Sequence, residues 1–283
     1  MIDPPIDVAK SSIDRGSRLV AVAWFVTLAL AIVPDLTATR TPSSVQWTVC
    51  TALLSPALIP FLWPQARPLR VYAGMLVLMT ALAVFFWNGL PMWVSRQAWF
   101  PNLSGSAAAL ITQAPKLVAA FVMMGVLSLR GYRRQEFFVS GAPRSLWTGS
   151  GVLVAVIMAV TMFTYLGPTT GQPRGAAAGL RYVPLALLLA AMNAFAEEML
   201  YRGALLAPLL RQVTRNQAIS MTAVLFGVAH YYGTPSGVPG MVLTFIAGWV
   251  FGLAMVETRS LLLPWFLHFV PDAVIYVTSV LPK

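Results

Sequence analysis

Charge is what this sequence has least of. Charged residues make up 10% of the 283 positions, against about a quarter in a soluble domain. There are nine Asp and Glu, two His and one Cys. A single cysteine closes no intrachain disulfide and builds no thiolate metal site. That excludes a secreted disulfide scaffold. Cys50 lies in an apolar run and reads as a small buried hydrophobe. Hydrophobic residues reach 58% and the mean hydropathy is +0.74. These values exclude a cytosolic enzyme and a disordered tail protein, and they describe a polytopic membrane protein.

Acids are scarcer than bases, and the net charge is +10. In a soluble protein that excess would point to nucleic acid. Here the basic residues stand between apolar runs, as they do in the cytoplasmic loops of membrane proteins, so no nucleic-acid partner is expected. The one local cluster is Arg130, Arg133, Arg134 and Arg144.

A membrane span needs about 20 apolar residues. Nine segments qualify as candidates: 18–33, 45–63, 69–90, 106–129, 146–167, 181–209, 216–232, 238–256 and 261–280. The expected fold is therefore all-α, a polytopic transmembrane helix bundle of eight to nine spans, eight if the short first segment is peripheral. Asp3, Asp7 and Asp14 beside Lys10 and Arg15 make a poor signal-peptide start, so the first span is expected to stay uncleaved. Of the 19 Lys and Arg, Lys116 and Arg202 fall inside spans. With nine spans and the N-terminus inside, Arg40, Arg96, Arg174, Arg181 and Lys283 fall outside and the other twelve inside. That bias predicts a cytoplasmic N-terminus. The Gly- and Pro-rich stretch 167–179 separates five spans from four. Gly248 and Gly252 form a G-x-x-x-G suited to close helix packing.

The expensive residues are concentrated. Glu197, Glu198 and Asp272 are the acids inside spans, and His230 and His268 lie within or at the end of spans. Each ionisable group costs about 2.5–3.5 kcal/mol at a helix centre unless it meets a partner or a water pocket. Glu198 and Arg202 are four residues apart and can pair on one helix face. Glu197 lies about 100° round the same helix, which leaves it free to take up a proton. Phe226 and His230 share a face, as do His268 and Asp272. Lys116 follows Pro115 inside a span; lining a substrate groove is one reading, and the expected one is a kink with its ammonium snorkelling to the membrane surface.

Glu197-Glu198-x-x-x-Arg202, Phe226-x-x-x-His230 and His268-x-x-x-Asp272, in this order on successive apolar spans, resemble the three motifs of the CPBP family. These are intramembrane endopeptidases related to the eukaryotic CAAX prenyl endopeptidase. The likeness covers about a third of the chain, and the segment 133–140 (RRQEFFVS) resembles the family's entry to its core. The resemblance implies accessory helices over 1–145 and a catalytic core over 146–283. It implies peptide-bond hydrolysis with Glu197 as general base helped by His230, His268 stabilising the oxyanion with Asp272 beside it, Glu198 within the site, and Arg202 and Phe226 in support. Asp272 stands where an asparagine would be a ready neutral donor, and is expected to orient His268. No cofactor is implied on a glutamate-type mechanism.

The chemistry agrees: amide hydrolysis needs an activated water and a site for developing negative charge. Two alternatives stay open. One is a zinc-dependent protease with Glu197, His230 and His268 as ligands. The other is a non-catalytic immunity, scaffold or transport protein of the same fold. The expected partners are the lipid bilayer and a membrane-associated protein or peptide substrate: a prenylated protein, a peptide, a pheromone or a membrane anchor. Sixteen Arg against three Lys suggest GC-rich bacterial coding, hence the bacterial inner membrane.

Overall fold

The computed structural model describes residues 13–37, 43–97, 99, 105–137, 148–166 and 180–280. Among these residues every regular element is helical. That is how an apolar chain in lipid pairs every backbone N–H and C=O within its own segment. Nine principal helices lie where the nine apolar runs place them. They are α1 (Ile13–Ala31), α2 (Ser44–Leu54), α3 (Arg70–Ala83), α4 (Gly105–Leu129), α5 (Thr148–Leu166), α6 (Val183–Glu198), α7 (Arg215–Val228), α8 (Gly237–Thr258) and α9 (Leu262–Val280). The expected domain boundary at 145/146, the Gly/Pro stretch 167–179, the far N-terminal charges and residues 138–140 of the expected core entry lie outside the described residues.

Among the described residues five stretches are long and apolar enough to cross a membrane: Ser17–Thr37, Ser44–Leu62, Pro64–Phe86, Val183–Leu210 and Gly237–Thr258. Within α4, α5 and α9 the segments Gln113–Leu129, Ser150–Leu166 and Leu262–Thr278 are apolar as well. The chain is an integral membrane protein. α7 is the outlier. Its 14 residues extend about 21 Å, less than the hydrocarbon thickness of about 30 Å. His230, two residues past its C-terminus, therefore stops short of a full crossing. A full-length seventh span would instead put His230 at the membrane edge, far in depth from His268.

The C-terminal helices interlock. α7 packs along α8, α6 along α9, and α4 and α5 flank this group against α6 and α9 respectively. The G-x-x-x-G acts as its spacing suggests. A Cβ on Gly248 would lie 3.0 Å from Phe226 Cδ1 and 3.3 Å from the Ala223 Cα, and one on Gly252 would lie 3.0 Å from Ile219 Cγ2. Both glycines let α8 press against α7. At one end of the bundle Arg211 pairs with Glu136 and lies over the Tyr132 ring, and Arg215 pairs with Glu257. This belt ties the end of α4 and the α6–α7 turn to the end of α8, where part of the expected basic cluster lies.

Candidate active site

α6 carries the densest polar face. Asn193 and Glu197 are one turn apart, and so are Glu198 and Arg202. Directly after Glu198 the helix widens into a π-helical stretch, Met199–Leu206, all of it buried. Such widened turns recur at functional sites. Arg202 is fully buried here. Its Nη1 lies 3.1 Å from Glu198 Oε1 and its Nη2 donates to the Gly248 carbonyl at 3.1 Å. The guanidinium also faces the rings of Phe226 at 4.6 Å and Phe251 at 5.3 Å. A charge with no water around it is tolerated only with such partners. The expected Glu198–Arg202 pair is therefore present.

Glu198 does more than pair. His268 Nδ1 lies 2.8 Å from Glu198 Oε1, so an Nδ1–H donating to the carboxylate fixes the ring. Phe251 stacks on that imidazole at 5.2 Å and Phe226 meets it edge-on at 5.4 Å. His268 Nε2 then points to the far side, 3.7 Å from both Glu197 Oε2 and Asp272 Oδ2. This corrects one expectation. Asp272 does not orient His268 by a hydrogen bond, since 3.7 Å is too long for one; Glu198 does. Asp272 Oδ2 instead accepts from Asn193 Nδ2 at 2.9 Å.

Lys116 gives the second correction. It does not snorkel. Its Nζ donates to Asn193 Oδ1 at 2.5 Å and to Glu197 Oε1 at 3.2 Å. The expected free Glu197 therefore has a partner, on another helix. Only its Oε1 is engaged: Oε2 is buried and accepts no hydrogen bond among the described residues.

His230 is half-buried. Its Nδ1 lies 2.8 Å from the Phe226 carbonyl. A carbonyl only accepts, so Nδ1 carries the proton and Nε2 of the neutral ring is left as a proton acceptor. Phe226 thus packs between the two imidazoles, 4.6 Å from His230 and 5.4 Å from His268.

Two cavities meet at this cluster. One, of about 370 Å³, is lined by Asp35, Lys116, Asn193, Glu197, His230 and Asp272 among others. The second, of about 280 Å³, is mostly apolar and is lined from α5, α8 and α9, Phe251 and His268 included. His230, Thr234, Asp272 and Ile275 border both. All seven residues singled out by the motifs thus belong to one constellation. Sequence reasoning missed Asn193 and the inward turn of Lys116. Asn193 had a signal, lying four residues before Glu197 on the same face. The four-residue spacing of Tyr276 from Asp272 is another: Gln113, three residues before Lys116, donates to the Tyr276 hydroxyl.

The cluster holds three carboxylates (Glu197, Glu198, Asp272), two fixed cations (Lys116, Arg202) and two imidazoles. It offers a carboxylate oxygen and an imidazole nitrogen that can accept a proton. His268 Nε2 becomes a donor when that ring carries both protons. Among the described residues no three His, Cys, Asp or Glu are grouped to hold a metal ion.

Residues 179–274 match the family model described as type II CAAX prenyl endopeptidase Rce1-like. That segment runs from just before α6 into α9 and contains all seven motif residues, whereas Lys116 lies outside it. No curated protein and no solved structure is significantly similar to the chain.

Proposed function

We propose, from the match of residues 179–274 to the Rce1-like family of CAAX prenyl endopeptidases, that the protein is an intramembrane endopeptidase. It hydrolyses a peptide bond of a membrane-associated protein or peptide. The observation that supports this reading is Glu197 Oε2, which accepts no hydrogen bond among the described residues and lies buried 3.7 Å from His268 Nε2 on a residue that lines the larger cavity.

The substrate carbonyl sits where the two cavities join, with an apolar stretch of the substrate in the smaller one. Glu197 Oε2 takes a proton from a water, assisted by His230 Nε2, and the oxygen adds to the carbonyl carbon. His268 Nε2–H donates to the developing oxyanion, held in aim by Glu198, which Arg202 neutralises. The C–N bond then breaks, and the proton held at Glu197 passes to the leaving amine, completing hydrolysis. Such general acid–base transfer contributes about 10²–10⁴-fold.

The donor set fits this chemistry better than a zinc site. Lys116 lies against Glu197 and Arg202 behind Glu198, and both oppose a dication. We therefore assign a metal-free, glutamate-type mechanism, with no cofactor. The lysine and arginine bias supports a cytoplasmic N-terminus, and the arginine-rich composition a bacterial inner membrane.

The test is proteomics of protein termini on membranes from cells carrying the wild type or Glu197→Gln. New termini present only with the wild type identify the substrate and its bond, prenylated or not. Identical termini in both would leave the non-catalytic reading of the same fold.

A further inference from the structure

Lys116 lies outside the matched segment, on a helix of the N-terminal half, yet its ammonium enters the polar cluster. It touches two groups at once: Glu197 Oε1 at 3.2 Å and Asn193 Oδ1 at 2.5 Å. Asn193 passes the contact on, its Nδ2 donating to Asp272 Oδ2 at 2.9 Å. An amide can bridge this way because its oxygen accepts from the cation while its nitrogen donates to the anion. Asn193 itself is 7% exposed, Glu197 8% and Asp272 7%, so water contributes little to their solvation.

We propose that Lys116 is a positioning residue for this site. Through Lys116–Glu197 and Lys116–Asn193–Asp272 it selects Glu197 Oε2 as the oxygen that faces the reacting water, and it allows Glu197 and Asp272 to be ionised together. The first part follows from geometry. The Glu197 carboxylate has two equivalent oxygens, and the ammonium binds one, which turns the other toward His268 Nε2. The second part follows from counting charges. The charged and titratable groups around Glu197 are Lys116 from α4, Tyr201 and Arg202 from the continuation of its own helix, His230 after α7, and His268, Asp272 and Tyr276 from α9. Asp35 adds a further acid on the cavity wall. Arg202 already serves Glu198. Among the described residues no other Lys or Arg touches Glu197 or Asp272, so without Lys116 the protonated His268, 3.7 Å from each, is one cation for two neighbouring buried carboxylates, which do not both stay ionised on it alone. The aspartate at 272 makes this cation necessary; an asparagine there would not.

The detergent-solubilised, full-length protein is the test, with two readouts. Dicyclohexylcarbodiimide, an apolar reagent that modifies protonated carboxyl groups, probes charge state without any substrate. Lys116→Met should be labelled at Glu197 or Asp272 at least threefold more than the wild type, as mapped by peptide mass spectrometry. Lys116→Arg and the double variant Lys116→Met/Asp272→Asn should fall back toward the wild-type level. Should Lys116→Met not fold, Lys116→Gln puts the same question. Equal labelling of wild type and the neutral variants overturns the proposal.

The second readout is kinetic and rests on the peptidase reading. On a peptide that the wild type cleaves, Lys116→Met should lower kcat by about 10²-fold, the cost of a misplaced reacting group. KM should change less than twofold, and Lys116→Arg should restore most of the rate. A raised KM at unchanged kcat would make Lys116 a binding group and overturn its positioning role. Labelling that behaves as expected in a wild type that cleaves nothing would sink the peptidase reading while upholding the assignment of Lys116.

Discussion

Arg202→Met is the perturbation with the largest consequence for folding. The guanidinium has no exposed surface. Its removal leaves Glu198 with one partner, His268, and a carboxylate in the bundle interior. Breaking a buried pair by removing one member costs about 3–5 kcal/mol. The contacts to Phe226 and Phe251 are lost too, and desolvated cation–π contacts are worth up to about 2 kcal/mol. Methionine refills part of the volume, so a net loss of about 3–5 kcal/mol is expected. Unfolding by SDS titration in mixed micelles, followed by the fluorescence of the nine tryptophans, reads this loss directly. Glu198→Gln in the same chain removes the stranded charge while keeping an oxygen for His268 Nδ1. The double variant should therefore recover much of the stability, with a coupling of about 1–3 kcal/mol in the cycle. An Arg202→Met protein within about 1 kcal/mol of wild type, or no coupling with Glu198→Gln, would refute the buried ion pair as the anchor of this face, since breaking a buried pair costs about 3–5 kcal/mol and contacting partners couple by about 0.5–3 kcal/mol.

Gly248→Ala should destabilise by about 1–3 kcal/mol, the usual cost of overpacking, because the new methyl meets Phe226 Cδ1 at 3.0 Å and Arg202 Nη2 at 3.3 Å. Gly125→Ala on α4, where a Cβ meets nothing within 4 Å, should lose no stability in the same unfolding assay. His268→Ala should reduce kcat by about 10²–10³, the cost of one oxyanion donor, with substrate still captured by the inactive protein in a pull-down. Cleavage should survive exhaustive chelation, and purified protein should contain zinc well below one equivalent by elemental analysis. Stoichiometric zinc with chelator-sensitive activity would turn the same residues into ligands.

The site was legible wherever its partners share one helix. Glu198 with Arg202, Phe226 with His230 and His268 with Asp272 are each four residues apart, and helical periodicity alone puts each pair on one face. The cost of ionisable groups in lipid then argues that the faces meet. Contacts between helices were not legible, because one sequence carries no information on how far one helix slides along another. That is why Glu198, and not Asp272, proved to hold His268 Nδ1, and why Lys116 was expected at the surface. The same cost that marked Glu197 applied to Lys116 and pointed inward, but the flexible stem left both directions open to a reader of sequence. The nine apolar runs foretold the nine principal helices of the described residues, whereas the choice between eight and nine spans is not decided by them. They overstated α7, whose helix is only 14 residues long and whose shortness brings His230 to the depth of the other site residues. The helices before residue 145 were expected as accessories, yet Asp35 and Lys116 from them line the larger cavity.

The central claim is that Glu197 activates a water for peptide hydrolysis. The most direct measurement takes metal-depleted wild type and Glu197→Gln in liposomes, with the peptide identified from membranes, in water enriched in ¹⁸O. The account predicts that the wild type cleaves and places one ¹⁸O in the new carboxyl group of the N-terminal product, with none in the amine product. Glu197→Gln should cleave at no measurable rate while unfolding at the same SDS concentration as the wild type, because an amide cannot take the water's proton. A well-folded Glu197→Gln that cleaves at the wild-type rate would contradict it.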